Sequence, residues 1–385
     1  MRPSSSGAWV TPFHEQILKT ALLPAERTGD EWLKLRARPE DLWAPEARQL
    51  LPMLSRALVD ACIDDPVVPE LMQTARRAWV DNQLTFERLG AALDVLDCAG
   101  IQTMALKGVP LALTRYPDPS LRPMVDFDLL VDPEQATDAI AALRRAGWTI
   151  EWTLGTDFVS RTSEVPCRSP DDHAVLDLHW RLVPWVGRSW TADDPALWYG
   201  ATPLRVEGCT TLAPADHDLL LHVILHAYRS GWARVPRWVA DVVLLVRTSS
   251  ASLDWDRFVH RALRAHLSLP VADALEYVAT EFAAAVPDHV RGTLDGARST
   301  RRERRKHRCA ERELVSRHHW LLGEATDLRI GWARTSVNFS RIGALSSIGP
   351  FLRGRTHVDH LWALPFVVAR RRILGVEDQA LTSPR

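Results

Sequence analysis

The chain has 385 residues, with 47 Lys+Arg against 48 Asp+Glu for a formal net charge of -1, and it is 46% hydrophobic and 25% charged. That mix belongs to a globular protein and excludes a disordered chain; at about 150 residues per domain it makes two to three domains. Near-neutral charge removes bulk attraction to nucleic acid or membrane, so any such contact needs a local patch. Only four basic residues are lysines (Lys19, Lys34, Lys107 and Lys306), so a single lysine is more informative here than an arginine. The five cysteines, Cys62, Cys98, Cys167, Cys209 and Cys309, form no CxxC pair, which excludes a zinc ribbon or thioredoxin motif. Their odd number, with no basic-then-apolar leader, predicts reduced thiols and a cytoplasmic protein. No apolar run approaches the roughly 20 residues of a membrane span, so no stable membrane association is expected.

Residues 1–66 read as a helical segment broken by Pro39, Pro45 and Pro52 and closed by Pro66. Leu71, Ala75, Ala78, Asn82, Phe86, Leu89, Leu93 and Leu96 then recur at three- and four-residue steps, the face of a long amphipathic helix that Ala99-Gly100 stops. Residues 101–106 form an apolar run ending at Lys107-Gly108, and 109–116 a short helix with Pro110 in its first turn. Residues 125–131 alternate like a strand. Asp132 is expected to cap a helix that has Pro133 at its first position and ends at Gly147. Strand-like stretches at 148–152, 158–161 and 174–180 complete an α/β (α+β) core over 67–212 with a small mixed sheet. From 213 to 385 the chain reads as a helical domain, with apolar helices at 216–228, 235–246 and 271–285.

The chemistry centres on residues 125–129. On a strand, alternate side chains share a face, so Asp126 and Asp128 point one way while Val125, Phe127 and Leu129 point into a core. At roughly 3.3 Å per residue their Cα atoms lie about 7 Å apart. Two carboxylates so placed repel unless a cation joins them, and removing either should leave the metal-free protein at least as stable. Hard oxygen ligands with open positions suit Mg²⁺; a solvated strand edge is the plain alternative. Lys107-Gly108 ends a strand and opens a helix, where a phosphate can approach bare backbone. Asp177 and His179 share a face of a second alternating run, opposite Leu176 and Leu178, and a third carboxylate would complete a two-metal site for phosphoryl transfer.

This order resembles the DNA polymerase β-type nucleotidyltransferase superfamily: a glycine turn into a helix, a DxD strand, then an acid on a later strand. More closely, Gly100-Ile101 through Leu106-Lys107-Gly108, Arg122 four before Asp126, Asp126-Phe127-Asp128-Leu129-Leu130-Val131 and Asp177-Leu178-His179-Trp180-Arg181 resemble the uncharacterised bacterial nucleotidyltransferase family, over roughly residues 70–245. A more distant likeness is to nucleotidyltransferase-type toxins, which also carry a lysine before the glycine. Val109 stands where the superfamily usually has serine or glycine, which leaves Lys107 as the substitute contact.

The resemblance implies a small mixed-sheet nucleotidyltransferase core flanked by N- and C-terminal helical segments. Asp126 and Asp128 would bind both of two Mg²⁺ ions, and Asp177 would hold the catalytic ion and help deprotonate an acceptor hydroxyl. Lys107 and Gly108 would hold the β- and γ-phosphates of a nucleoside triphosphate such as ATP. Arg122 would either neutralise pyrophosphate or orient the carboxylates, and His179 would serve catalysis or structure. The acceptor is a peptide, protein, RNA or small molecule. A catalytically silent binding module for peptide or RNA is the alternative.

Asp218, His222 and His226 share one helix face at four-residue spacing. Three readings stand: buried histidines bonded to Arg237 or Asp241, a substrate-facing wall, or a zinc site. His217-Asp218 is also similar to the pair in metal-dependent phosphohydrolases, a third functional class. His222, His226, Arg237 and Asp241 are therefore candidate substrate contacts. The basic run at 298–308, interrupted by Glu303, reads as a salt-bridged helix before a nucleic-acid patch. Sixteen tryptophans scattered along the chain read as packing.

Overall fold

The computed structural model describes residues 9–38, 42–150, 159, 162–182, 195–230, 232, 235–301, 303, 304 and 307. The chain divides into two units, Met1–His318 and His319–Arg385, and every described residue lies in the first.

Three short helices open it: α1 (Pro12–Leu22), α2 (Ala25–Arg36) and α3 (Leu51–Asp60). Thr11 caps α1, its side chain accepting from the His14 N–H, with Pro12 in the first turn where a missing N–H costs nothing. Helix α4 (Val68–Cys98) is 31 residues long and buries Leu71, Ala78, Asn82, Phe86, Leu89, Leu93 and Leu96, the stripe read from the sequence. Gly100, at φ +71, takes the left-handed turn that ends it.

The core follows as β1 (Met104–Leu106), α5 (Gly108–Thr114), β2 (Asp126–Leu130), α6 (Ala136–Arg145), β3 (Thr149–Ile150), β4 (Glu164–Arg168), β5 (Val175–His179), α7 (Pro195–Tyr199), β6 (Thr202–Val206) and β7 (Cys209–Ala213). The strands make one mixed seven-stranded sheet in the order β3-β4-β5-β2-β1-β7-β6. β2 runs parallel to β5, and β1 parallel to β7; the other pairings are antiparallel.

Several boundaries differ from expectation. β2 begins at Asp126, and Val125 is 87% exposed in place of entering the core. α6 begins at Ala136, because Asp132 accepts from the Glu134 N–H and so closes a turn ahead of the helix. Of residues 158–161, expected as strand, Val159 is helical and the others lie outside the described residues. β4 lies outside the strands read from the sequence and carries Pro166; the structure accommodates the proline since β3 pairs only with Cys167 and Arg168. The β6–β7 hairpin turns on Glu207 and Gly208, both at positive φ, the backbone of a two-residue hairpin turn.

The two faces of the sheet have different fates. Ala105, Phe127, Leu129, Val165, Cys167, Leu176 and Leu178 pack into a core with α4 and α6. The opposite face contributes Met104, Leu106 and Leu130 to a larger core. There α8 (Asp216–Ser230), α9 (Trp238–Thr248) and α11 (Ser268–Phe282) join α1 and α3, as Ile17 and Leu54 join Leu220, Val242 and Leu275. Residues from both flanking helical segments thus share one core. Trp232 lies 4.9 Å from Trp9 and 4.8 Å from Trp238 between ring centroids, so these tryptophans serve packing. The Tyr277 hydroxyl donates to Glu15 at 2.9 Å, tying α11 to α1.

Two further helices are α10 (Trp255–Arg264) and α12 (Asp288–Gly296), and Arg301, Glu303, Arg304 and His307 of the basic run are also helical. Glu303 in the basic run accepts from Ser268 Oγ at 2.7 Å and from the Leu269 N–H at 3.1 Å, so it caps the start of α11. No helix among the described residues is long and apolar enough to cross a membrane.

Candidate functional site

Register decides which side chains meet. Asp128 pairs with Asp177 across the parallel β2–β5 ladder and with Leu106 on the other side. Lys107 follows Leu106 at φ +46, a conformation rare outside glycine, which marks a constrained turn. Its Nζ donates to Asp128 Oδ1 at 2.5 Å. His179 Nε2 lies 2.9 Å from the same oxygen, and its Nδ1 is 3.1 Å from Glu164 Oε2 on β4.

Charges in this recess are unequal. Burial would raise the Asp128 carboxyl, but Lys107 and His179 overcome it and hold it well below the usual range. Burial, then the charge of Asp128, pushes Asp177 up to about 6. Burial would lower His179, yet Glu164 and Asp128 hold it up at about 9. Asp126, exposed at the start of β2, is also raised, by loss of water around it and then by Asp128.

One oxygen or nitrogen from each of Asp128, Asp177 and His179 lies within 4.8 Å of the others, a group able to hold a metal ion. The donors fit a hard divalent cation: the hydrogen bonds to Asp128 fall on Oδ1, and Asp177 carries the like-charge repulsion that a cation would relieve. Asp126 lies outside this group.

Arg122 is placed elsewhere. Its Nε and Nη2 donate to Asp241 Oδ1 and Oδ2 at 2.8 and 2.9 Å, and the Tyr116 hydroxyl donates to Oδ1 at 2.7 Å. A Cβ on Gly108 would sit 2.8 Å from Arg122 Nη1 and 3.1 Å from Met124 Sδ, so the turn needs glycine to admit the guanidinium. Asn82 holds the intervening loop: its Nδ2 donates to Pro119 O at 2.7 Å and Arg122 O at 3.0 Å, while its Oδ1 accepts the Met124 N–H at 3.0 Å. Arg237 donates from Nη1 to Pro123 O.

On α8, Asp218 is held by Arg261 Nε at 2.7 Å, and the described residues offer no metal-ligand group around it. His222 is 2% exposed, and burial, followed by the charge of Lys107, holds its pKa well below the ordinary value. His226 is less deeply buried on the same helix.

Sequence reasoning missed Glu164, Tyr116 and the role of Asn82. Asn82 did leave a signal, as the one amide on an otherwise apolar stripe. Glu164 left none, since its strand carries Pro166.

The mixed sheet, the lysine–glycine turn into a helix and the two carboxylates side by side on parallel strands agree with the nucleotidyltransferase class of α/β protein that the sequence motifs resemble. Residues 41–283 match the uncharacterised nucleotidyltransferase family, and the chain belongs to it. That membership supports a nucleotidyltransferase function. No curated protein matches the chain. Solved structures similar to part of it include two nucleotidyltransferase-type proteins. The antibiotic-resistance factor ANT(2'')-Ia is 15% identical, over 51% of this chain and 95% of that one, with a TM-score of 0.32. An antigenic nucleotidyltransferase-like protein from Paracoccidioides brasiliensis is 15% identical, over 55% of this chain and 94% of that one, with a TM-score of 0.35.

Proposed function

We propose that the protein is a divalent-metal-dependent nucleotidyltransferase that moves a nucleoside monophosphate from a nucleoside triphosphate to an acceptor hydroxyl in the cytoplasm. The observation that carries this reading is the meeting of Asp128, Asp177 and His179 beside Lys107 at the glycine turn. A divalent cation such as Mg²⁺, held by Asp128 and Asp177 with Asp126 at hand for a second ion, would neutralise the carboxylates and polarise the phosphate oxygens. The acceptor oxygen attacks the α-phosphorus, the bond to the bridging oxygen breaks, and pyrophosphate leaves. Asp177, holding that cation beside the acceptor hydroxyl, would help to deprotonate it. With a cation on Asp128, Lys107 would be free to turn from that carboxylate to the triphosphate. His179, clasped by Asp128 and Glu164, keeps Asp128 oriented. His222, His226 and Arg237 would contact substrate from the helical side, with Asp241 fixing Arg122 beneath it. The acceptor is a peptide, protein, RNA or small molecule.

The test is incubation of the full chain with α-labelled triphosphates, Mg²⁺ and host lysate, following both pyrophosphate release and labelled products. Label that appears with one triphosphate and disappears in Asp177→Asn supports the reading. Triphosphate stabilisation of the protein without pyrophosphate or label would make it a silent binding module.

A further inference from the structure

Arg122 and Arg237 share a single carboxylate. Asp241 is 4% exposed and accepts from Arg122 through both oxygens and from Tyr116. Arg237 stands four residues earlier, at the N-terminal end of α9, and its one hydrogen bond runs to the uncharged carbonyl of Pro123. Its Nε is buried without a hydrogen-bond partner. Arg122 takes both oxygens of Asp241, so Arg237 has no carboxylate hydrogen-bonded to it and meets Asp241 and Asp126 only through space. Burial, then the neighbouring charge of Arg122, lowers the pKa of Arg237 from its ordinary value, as expected for a cation short of an anion. Arg122 is 5% exposed, whereas Arg237 keeps more contact with solvent.

The location tells which anion. Pro123 opens the three-residue lead into Asp126, and Asp126 acts electrostatically on Arg237. Arg122 Nη1 backs the bare Cα of Gly108, beside Lys107. The Arg237 guanidinium, with no carboxylate bonded to it, therefore sits on the Asp126 side of the proposed metal-binding carboxylates, with Lys107 on the Asp128 side. We infer that Arg237 is a phosphate-binding residue of this cleft and that, with Lys107, it takes the polyphosphate end of the nucleotide. Asp241 is its positioning partner: it consumes Arg122 and leaves Arg237 for substrate. The inference rests on the nucleotidyltransferase reading and adds to it the side from which the polyphosphate is gripped. A planar fork of N–H donors matches phosphate oxygens better than a point charge does.

The probe is inorganic tripolyphosphate with Mg²⁺, which carries no base, titrated calorimetrically into the full chain. Arg237→Gln should bind it about 10- to 100-fold more weakly than wild type, the range for a lost hydrogen bond to a charged group, with Arg237→Lys in between. Equal binding by wild type and a folded Arg237→Gln overturns the inference and leaves the nucleotidyltransferase reading standing. Failure of the wild type to bind tripolyphosphate or any nucleoside triphosphate overturns both. A second measurement needs no variant: phenylglyoxal modification of Arg237, read by peptide mass spectrometry, should slow under saturating tripolyphosphate while Arg291 reacts as before. An unchanged rate at Arg237 overturns the inference.

Discussion

Asp241 and Asp128 are both buried, and each is held by a cation beside the same glycine turn, yet their surroundings differ in kind. Asp241 receives a two-pronged guanidinium and a phenol, and its position on α9 is rigid. Asp128 receives Lys107 and His179 on one oxygen and faces a second carboxylate, Asp177, whose pKa is pushed up to about 6. A buried ion pair with matched geometry acts as architecture, because breaking it strands a charge out of water. A buried pair crowded by further like charge has spare affinity for a cation, which is what a catalytic recess requires.

The widest gap between the two pairs should appear when each carboxylate is removed. Asp241→Ala strands Arg122 beside Arg237 and should cost about 3–5 kcal/mol in urea unfolding. A loss under about 1 kcal/mol would mean that Arg122 finds water or another partner and that the pair is not architectural.

Asp128→Asn should cost less, about 2–3 kcal/mol, the range for lost hydrogen bonds to charged groups. This revises the expectation from sequence that either acid of the pair could be neutralised freely: Lys107 and His179 both depend on Asp128. Asp126 has no such partners and a raised pKa, so Asp126→Asn should leave the metal-free melting temperature unchanged or higher. Equal losses in the two variants would erase the distinction.

Gly108→Ala tests whether the glycine serves Arg122. The added methyl would meet Arg122 Nη1 at 2.8 Å and should cost about 1–3 kcal/mol by overpacking. A glycine kept only for phosphate approach would show unchanged stability and weaker triphosphate binding.

A pH slope in the metal-free protein tests Asp177. Asp177 has a folded pKa of about 6 against an ordinary 3.8, so the folded state binds the proton more tightly than the unfolded one. Its contribution is full below about pH 4 and is lost as pH rises through about 6. The melting temperature of Asp177→Asn relative to wild type should therefore rise between pH 4 and pH 7. A constant difference would place Asp177 outside the charged recess.

Much of the fold could be read along the chain. The three- and four-residue stripe of α4, the alternation of β2 and β5, and Gly100 and Gly147 as stops all depend on neighbours within a few residues. β4 and the β6–β7 hairpin could not. Pro166 argues against a strand until β3 proves too short to need its N–H, and Glu207-Gly208 is a weak turn signal by itself. The site divides the same way. Lys107, Asp128, Asp177 and His179 stood out by type and spacing, and the structure brings them together. Arg122 stood out too, but its partner Asp241 lies 119 residues away.

The amino-acid sequence alone determined which side chains share a face, where helices stop and which residues carry charge, because pleat, helical pitch and ionisation are properties of short segments. Only the tertiary structure decided that Asp128 sits level with Asp177, that His179 turns its two nitrogens to Asp128 and Glu164, and that Asp241 claims Arg122 while Arg237 bonds the Pro123 carbonyl. Those outcomes depend on parallel register and on helices returning from far along the chain. The physical reason is that a carboxylate's partner is chosen by distance and burial in space, and separation in sequence constrains neither.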